Sequence, residues 1–190
     1  MLPQENDPAR VIDVLTINEG PRGVEGLLDI VEKAGEYFPR GSWEEIEYLG
    51  NLSVERDVRI ASNKKLYDAL IFEKVVKKIR GVRGALEARE LLLGVTRDPV
   101  VDIRFRFEAG TIRRSANLVH DYVTSDIGVV SLFKIDEDAG EKLTAHGLGH
   151  SRGLSHHSDP IDLMYIGLLR NPEVREPFCR ECVDRLKGMG

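Results

Sequence analysis

Apolar residues recur along the chain with two different periods, which divide it into strands and helices. The run VIDVLTI at residues 11–17 is rich in β-branched side chains and predicts a first strand. From Gly23 to Tyr37 the apolar residues recur at helical spacing, which predicts an amphipathic helix. Further strands are predicted over residues 90–95, 100–107 and 127–133, and further helices over residues 138–152 and near 172–186.

The stretch between the first helix and residue 90 has more than one interpretation. Either residues 45–49 or residues 54–60 are predicted to form a second strand. Ser62 or Asn63 is then predicted to cap a helix that runs to about Ile79, because its apolar residues share one helical face. The alternation of strands and helices predicts an α/β (α+β) fold, in which two long helices pack on a sheet.

Composition and charge narrow the possible functions. The chain has 190 residues, of which 42% are hydrophobic, enough for one compact domain that is at most divided into two lobes. Its net charge of -5, without a basic run interleaved with aromatic residues, argues against nucleic acid as a partner. Neither a signal region at the start nor an apolar stretch of membrane-spanning length is present in the sequence, so we expect no membrane association and a cytoplasmic location.

The strongest chemical signal is a cluster of histidines. His146, His150 and His156 have the spacing H-x-x-x-H-x-x-G-x-x-H. Histidines four residues apart share one face of a helix, and a left-handed Gly153 lets the chain turn back so that the third histidine joins them. Neutral imidazoles that converge on one point are typical of zinc sites. The spacing therefore predicts a zinc centre whose fourth position is open to water, with His120 as the alternative protein ligand there.

The residue after the first histidine of the motif is Gly147. In the H-E-x-x-H peptidases a glutamate at this position takes a proton from the attacking water. General-base assistance is typically worth about 10²- to 10⁴-fold in rate, so we expect peptide hydrolysis to be weak or lost. Glu141 lies more than a helical turn away and is a poor replacement. Gly147 and Gly149 each cost about 1 kcal/mol relative to alanine in a helix, which metal binding is expected to offset.

The two cysteines form a second candidate metal site. Cys179 and Cys182 make a C-x-x-C pair, which is half of a zinc site. A redox pair and two unliganded thiols are the alternatives, but a redox pair normally opens a long helix in a βαβ unit. His157 and Asp162 are the candidate remaining ligands, with Asp159 as the substitute for Asp162. A closed structural zinc would stabilise a C-terminal region that is too short for its own core.

With these motifs, the chain resembles the archaemetzincins, a branch of the metzincin zinc metallopeptidases. The family motif is H-E-x-x-H-x-x-G-x-x-H-C, then four residues, C-x-M and a later C-x-x-C. The resemblance implies that Met164 is the methionine of the turn beneath the zinc. It implies three ligands for a catalytic-type zinc, His146, His150 and His156, and four for a structural zinc, His157, Asp162, Cys179 and Cys182. His157 and Asp162 occupy the places of the first two family cysteines.

The resemblance also implies an architecture and a substrate class. It implies a twisted mixed sheet with two long helices and an active-site helix in residues 1–156, followed by a small zinc-stabilised subdomain in residues 157–190. Two zinc ions per chain and a peptide or protein substrate are expected. Three functions remain open: a peptidase weakened by Gly147, a non-catalytic protein that binds a peptide or anion at zinc, and a zinc-hydroxide esterase or hydratase. No catalytic residue other than the metal ligands is assigned.

Overall fold

A computed structural model describes residues 11–86, 91–108, 110–168 and 178–188. The described residues form two mixed sheets and four helices, which confirms the predicted α/β fold class. The elements are β1 (Val11–Ile17), α1 (Pro21–Glu36), β2 (Glu45–Leu52), β3 (Val58–Ser62), β4 (Lys65–Ile71), α2 (Phe72–Leu86), β5 (Leu91–Thr96), β6 (Val100–Glu108), β7 (Thr111–Leu118), β8 (Asp121–Val123), β9 (Ile127–Ser131), α3 (Glu137–Ser151) and α4 (Arg180–Gly188).

The first sheet is the scaffold of the molecule. Its strand order is β2-β1-β5-β9-β8, and only β8, at one edge, runs antiparallel to its neighbour. Strands β5 and β9 are buried throughout, as expected for parallel strands that are covered on both faces. One buried cluster joins α1 and α3 to one face of this sheet, and a second joins α2 to the opposite face.

The second sheet corrects one prediction. Its order is β3-β4-β6-β7, and β4 occupies residues that the apolar spacing assigned to a helix. Asn63 and Lys64 both have left-handed backbone angles, with φ of 49° and 63°, which is the geometry of a tight hairpin between β3 and β4. The helix α2 therefore begins only at Phe72. Leu66, which the helix prediction placed on the apolar face, is 70% exposed.

Other sequence assignments differ in detail. Both candidates for the second strand exist, as β2 and β3, whereas β7 and β8 were not predicted. The predicted last helix begins within residues 169–177, which lie outside the described residues, and α4 starts at Arg180. The C-terminal residues Phe178, Cys182 and Leu186 belong to the same buried cluster as α1 and α3. The division into subdomains at residue 156 stays a prediction. None of the described helices has the length and apolar content needed to cross a membrane.

Candidate metal centre

Helix α3 carries the first two histidines, and its two ends are well defined. Asp136 caps the N-terminus, where its side chain accepts a hydrogen bond from the backbone N–H of Ala139 at 2.9 Å. At the C-terminus Gly153 has a φ of 71°, which a residue with a side chain adopts at a cost. The N–H of Leu154 donates to the carbonyl of Gly149 and that of Gly153 to the carbonyl of His150, the two hydrogen bonds of a Schellman cap. This cap reverses the chain towards His156.

The reversal brings the three predicted histidines together. The Nε2 atoms of His146 and His150 lie 3.1 Å apart, those of His150 and His156 3.1 Å, and those of His146 and His156 3.2 Å. Zinc–nitrogen distances of about 2.0–2.1 Å place the ligands of an ideal tetrahedron about 3.3–3.4 Å apart. The three nitrogens thus form a triangle with nearly the dimensions of one face of a tetrahedral metal site.

Hydrogen bonds at the other ring nitrogen define the tautomers of two of these histidines. Nδ1 of His146 donates to the carbonyl of Leu163 at 2.6 Å, and Nδ1 of His150 donates to the carbonyl of Leu154 at 3.0 Å. In the neutral rings both Nε2 atoms are then unprotonated. Lone pairs that face each other at 3.1 Å repel, and a cation between them removes that repulsion. The donor set therefore fits a metal ion.

The surroundings favour the neutral, metal-binding form of the cluster. Burial, followed by the neighbouring His146, lowers the pKa of His150. Burial and the neighbouring His150 also lower the pKa of His156. Because a histidine must be unprotonated to bind a metal, these shifts keep the site available below the usual pKa of the side chain.

A cleft of about 580 Å³ opens on this centre. Strand β8 borders it and is the edge of the first sheet, so one side of its backbone is unpaired in the described part of the molecule. The strand predicted over residues 127–133 corresponds to β9, which lies inside the sheet between β5 and β8 and is not an edge strand. The residues lining the cleft are Asp121, Leu143, His146, His156, Tyr165, Ile166, Gly167 and Leu168.

Asp121 is the site residue that the sequence analysis missed. Its Oδ2 lies 3.7 Å from Nε2 of His146. In the sequence, Asp121 is marked only by its position directly after His120, the alternative fourth ligand. His120 itself lies outside the three-histidine group, with Nδ1 3.2 Å from the carbonyl oxygen of Ser131. The geometry therefore does not support His120 as the fourth ligand of the zinc centre.

Gly147 faces β8 at very short range. A Cβ atom added at this position would lie 2.8 Å from Cγ2 of Val123 and 3.9 Å from Cβ of Asp121. Val123 thus occupies the space that the Cβ of any larger residue at position 147 would need. Gly149 similarly faces the Met164 sulfur, which a Cβ would approach to 2.6 Å. Close packing therefore explains why both positions are glycine. The compensation of their helix-propensity cost by metal binding, expected from the sequence, is a separate effect. Glu141, the distant carboxylate on α3, pairs with Lys33 at 3.3 Å.

The second predicted cluster is also assembled. Ligand atoms of His157, Asp162, Cys179 and Cys182 all lie within 4.8 Å of one another, and the cysteines are not disulfide-bonded. Sγ of Cys182 is 3.1 Å from Nε2 of His157. Asp159, the substitute named from the sequence, lies outside this group, and its side chain accepts from the N–H of Ile161.

Asp162 and Cys182 show that this second cluster is buried and polar. Asp162 is only 1% exposed, and its carboxylate accepts from the backbone N–H groups of Met164 at 2.7 Å and Cys179 at 3.3 Å. Burial, a hydrogen bond with Cys179 and the charge of Asp162 raise the pKa of the Cys182 thiol to about 12. A divalent cation would compensate this concentration of negative charge, because thiolates and carboxylates are its ligands.

Three consecutive residues join the two clusters. Asp162 belongs to the second cluster, the carbonyl of Leu163 accepts from His146 of the first, and Met164 lies fully buried between them. The backbone N–H of His157 donates to the carbonyl of Met164 at 2.8 Å. The turn that contains Met164 thus orients a histidine of the first cluster and is itself held by the second.

Neither a protein-family model nor a curated protein matches the chain. Among solved structures, the archaemetzincin of Methanopyrus kandleri superposes with a TM-score of 0.61 and 20% identity, over 99% of this chain and 98% of that one. A zinc-dependent peptidase of Methanocorpusculum labreanum has a TM-score of 0.63 and 17% identity, over 92% and 99% of the two chains.

A third structure is similar in extent. The archaemetzincin of Archaeoglobus fulgidus, complexed with malonate, has a TM-score of 0.58 and 19% identity, over 92% of this chain and 99% of that one. At these identities the similarity concerns the backbone fold. The chain has the archaemetzincin fold over nearly its whole length.

Proposed function

We propose that the chain binds zinc at the three-histidine centre and hydrolyses peptide bonds there, slowly in comparison with a peptidase that has the motif glutamate. The observation that carries this proposal is the convergence of three Nε2 atoms within 3.2 Å at the wall of an open cleft. When bound, zinc supplies a Lewis acid that polarises a carbonyl group and lowers the pKa of water. His146, His150 and His156 would hold it and leave the fourth position open to the cleft.

The peptide is proposed to bind along β8. An extended segment gains main-chain hydrogen bonds when it adds to an unpaired sheet edge, and this binding mode does not depend on sequence. Leu143, Ile166 and Leu168 in the cleft wall provide apolar surface for its side chains. A peptide bound in this way passes directly in front of the histidine cluster, because β8 supplies both the edge and the cleft residue Asp121.

A second, structural zinc is proposed at His157, Asp162, Cys179 and Cys182. Four protein ligands close such a site, so it has no position for substrate. Its proposed role is to fix the turn at Met164, whose preceding carbonyl orients His146. Zinc in this position would stabilise the catalytic centre without taking part in the reaction.

Gly147 favours a second candidate function, in which the centre binds a peptide or a small anion without cleaving it. With Val123 at 2.8 Å from where a Cβ would lie at position 147, α3 has no carboxylate at the motif position and little room for a side chain there. The Archaeoglobus archaemetzincin, which shares the fold, is complexed with malonate, a dicarboxylate. An anion-binding role for this chain is compatible with that observation.

The test is cleavage of a peptide library by the zinc-loaded protein, with products identified by mass spectrometry. The zinc-loaded His150→Ala variant is the matched control. We expect slow cleavage by the wild type that the variant lacks. Equal inertness of both proteins, with zinc bound to the wild type, would overturn hydrolysis in favour of the binding function. Cleavage of an ester library without any peptide cleavage would instead assign an esterase.

A further inference from the structure

We propose that Asp121 is the proton acceptor in peptide hydrolysis, in place of the glutamate that Gly147 lacks. This inference rests on the proposed function and names the residue that completes it. The carboxylate reaches the centre from strand β8, which packs against the helix that carries the motif. A carboxylate on strand β8 would therefore do the work of the carboxylate that the family motif places on the helix.

Asp121 lies close to the motif position on α3 as well as to the histidines. Its Cβ lies 3.9 Å from the point where a Cβ on residue 147 would be. Its Oδ2 lies 3.7 Å from Nε2 of His146. The side chain of Asp121 thus starts next to the point from which a motif side chain would start, and its carboxylate lies beside the histidines.

The same distances distinguish a proton acceptor from a fourth metal ligand. A tetrahedral ligand would lie about 3.3–3.4 Å from each of the three Nε2 atoms. Asp121 is farther than this from His146 and lies outside the group of ligand atoms that fall within 4.8 Å of one another. Its carboxylate therefore lies next to one of the three histidines without belonging to the ligand set, which is the place that we assign to the proton acceptor.

Among the described residues, no lysine or arginine pairs with Asp121. Among the described residues that line the cleft it is the only carboxylate. Within the described part of the chain, its sole ion-pair partner is His146. A carboxylate that is not engaged by a lysine or arginine keeps its lone pairs for a proton. Glu141, the carboxylate on α3 discussed above, forms an ion pair with Lys33.

The proposed step adds one water molecule across the C–N bond of a peptide. The water oxygen bonds to the carbonyl carbon while one water proton passes to Oδ2 of Asp121. The C–N bond then breaks, and the same proton passes from Asp121 to the nitrogen that leaves as an amine. The second water proton stays with the new carboxylic acid until it ionises. Asp121 ends as the carboxylate that it was at the start.

The first test is the Asp121→Asn variant, which keeps the size of the side chain and removes its ability to accept a proton. We expect peptide cleavage to fall by about 10²- to 10⁴-fold while the variant still binds zinc at the three histidines. Asp68→Asn, which removes an exposed carboxylate on β4, is the matched control and should cleave at the wild-type rate. Unchanged cleavage by Asp121→Asn would overturn the proposal. A loss of zinc from the variant would also overturn it, because Asp121 would then be a ligand.

A second readout does not require turnover. Acetohydroxamic acid binds zinc centres as its anion, so its proton must go to the protein or to the buffer. Calorimetric titrations in two buffers of different ionisation enthalpy measure how many protons are released. We expect almost none from the wild type and about one per bound molecule from Asp121→Asn. Equal release from both proteins would overturn the assignment of Asp121.

The two readouts separate the inference from the proposed function. If the wild type cleaves no peptide but the calorimetric difference is found, hydrolysis fails as the function and Asp121 remains the proton acceptor of the site. If the wild type cleaves peptides and the Asp121→Asn variant does so equally, the function stands and the inference fails.

Discussion

The packing of Gly147 against Val123 leads to a quantitative prediction. Gly147→Ala adds one carbon atom to α3, at 2.8 Å from Cγ2 of Val123, a separation that real Cβ atoms essentially never show. Alanine gains about 1 kcal/mol over glycine in a helix interior, whereas overpacking costs about 1–3 kcal/mol. We therefore expect Gly147→Ala to destabilise the wild type by up to about 2 kcal/mol. In a Val123→Ala background, where the contact is absent, the same change should be stabilising by up to about 1 kcal/mol.

The assay is a double-mutant cycle measured by urea unfolding. Wild type, the two single variants and the double variant are compared at one fixed concentration of free zinc, so that ligand-linked stability is the same for all. We expect a coupling energy of about 1–3 kcal/mol between the two positions. If Gly147→Ala changes the free energy of unfolding equally in both backgrounds, within about 0.5 kcal/mol, the steric explanation of Gly147 is refuted.

The same pair of positions decides whether a glutamate on α3 can still work. Gly147→Glu alone is expected to fail, because Val123 occupies the space that its side chain needs. Combined with Val123→Ala in the Asp121→Asn background, it should restore peptide cleavage by at least about 10²-fold. Gly147→Gln in the same background is the control, because an amide fills the space and accepts no proton. Equal rates for the glutamate and glutamine variants would contradict the account.

Three further predictions concern the framework of the site. Gly153→Ala should cost about 1–2 kcal/mol of stability in urea unfolding, because the left-handed conformation is retained at the chain reversal, and wild-type stability would contradict this. Asp162→Ala leaves two backbone N–H groups without their acceptor, so we expect the free energy of unfolding to fall by about 1–3 kcal/mol in the same assay. The variant should also bind one zinc ion fewer per chain. Wild-type stability together with wild-type zinc content would argue against the second site. The folded-state pKa values of His150 and His156 are lowered from 6.5, so the unfolded chain takes up protons first as the pH falls. The zinc-free protein should therefore lose stability as the pH drops below about 6.5, and a flat profile from pH 7 to 5 would contradict the burial of these histidines.

The residues of both clusters could be predicted from the sequence because local geometry brings most of them together. His146 and His150 are one helical turn apart, and the left-handed Gly153 returns His156 within three residues. Each of these relations depends only on residues close in the chain. In the second cluster, Asp162 is a member and Asp159 is not. Asp162 lies two residues before the buried Met164, so this relation is also local.

Asp121 could not be found in this way because its position depends on long-range pairing. It lies on a three-residue strand that, among the described strands, pairs with β9 alone, and a strand of that length has no detectable apolar period. The same limitation explains β4. Its apolar residues share helical spacing, and the deciding signal was the tight turn at Asn63 and Lys64. Sheet edges, which here define the cleft, are therefore the part of the fold that the sequence pattern describes least well.

The zinc content of the purified protein tests the central claim most directly. Mass spectrometry of the metal, after dialysis against buffer without chelator, should find two zinc ions per chain in the wild type and one in His156→Ala. His156 is exposed, so this variant should remain folded, and His120→Ala is the matched control that should keep both ions. Equal zinc content in the wild type and His156→Ala would contradict the assignment of the three-histidine cluster as a metal centre.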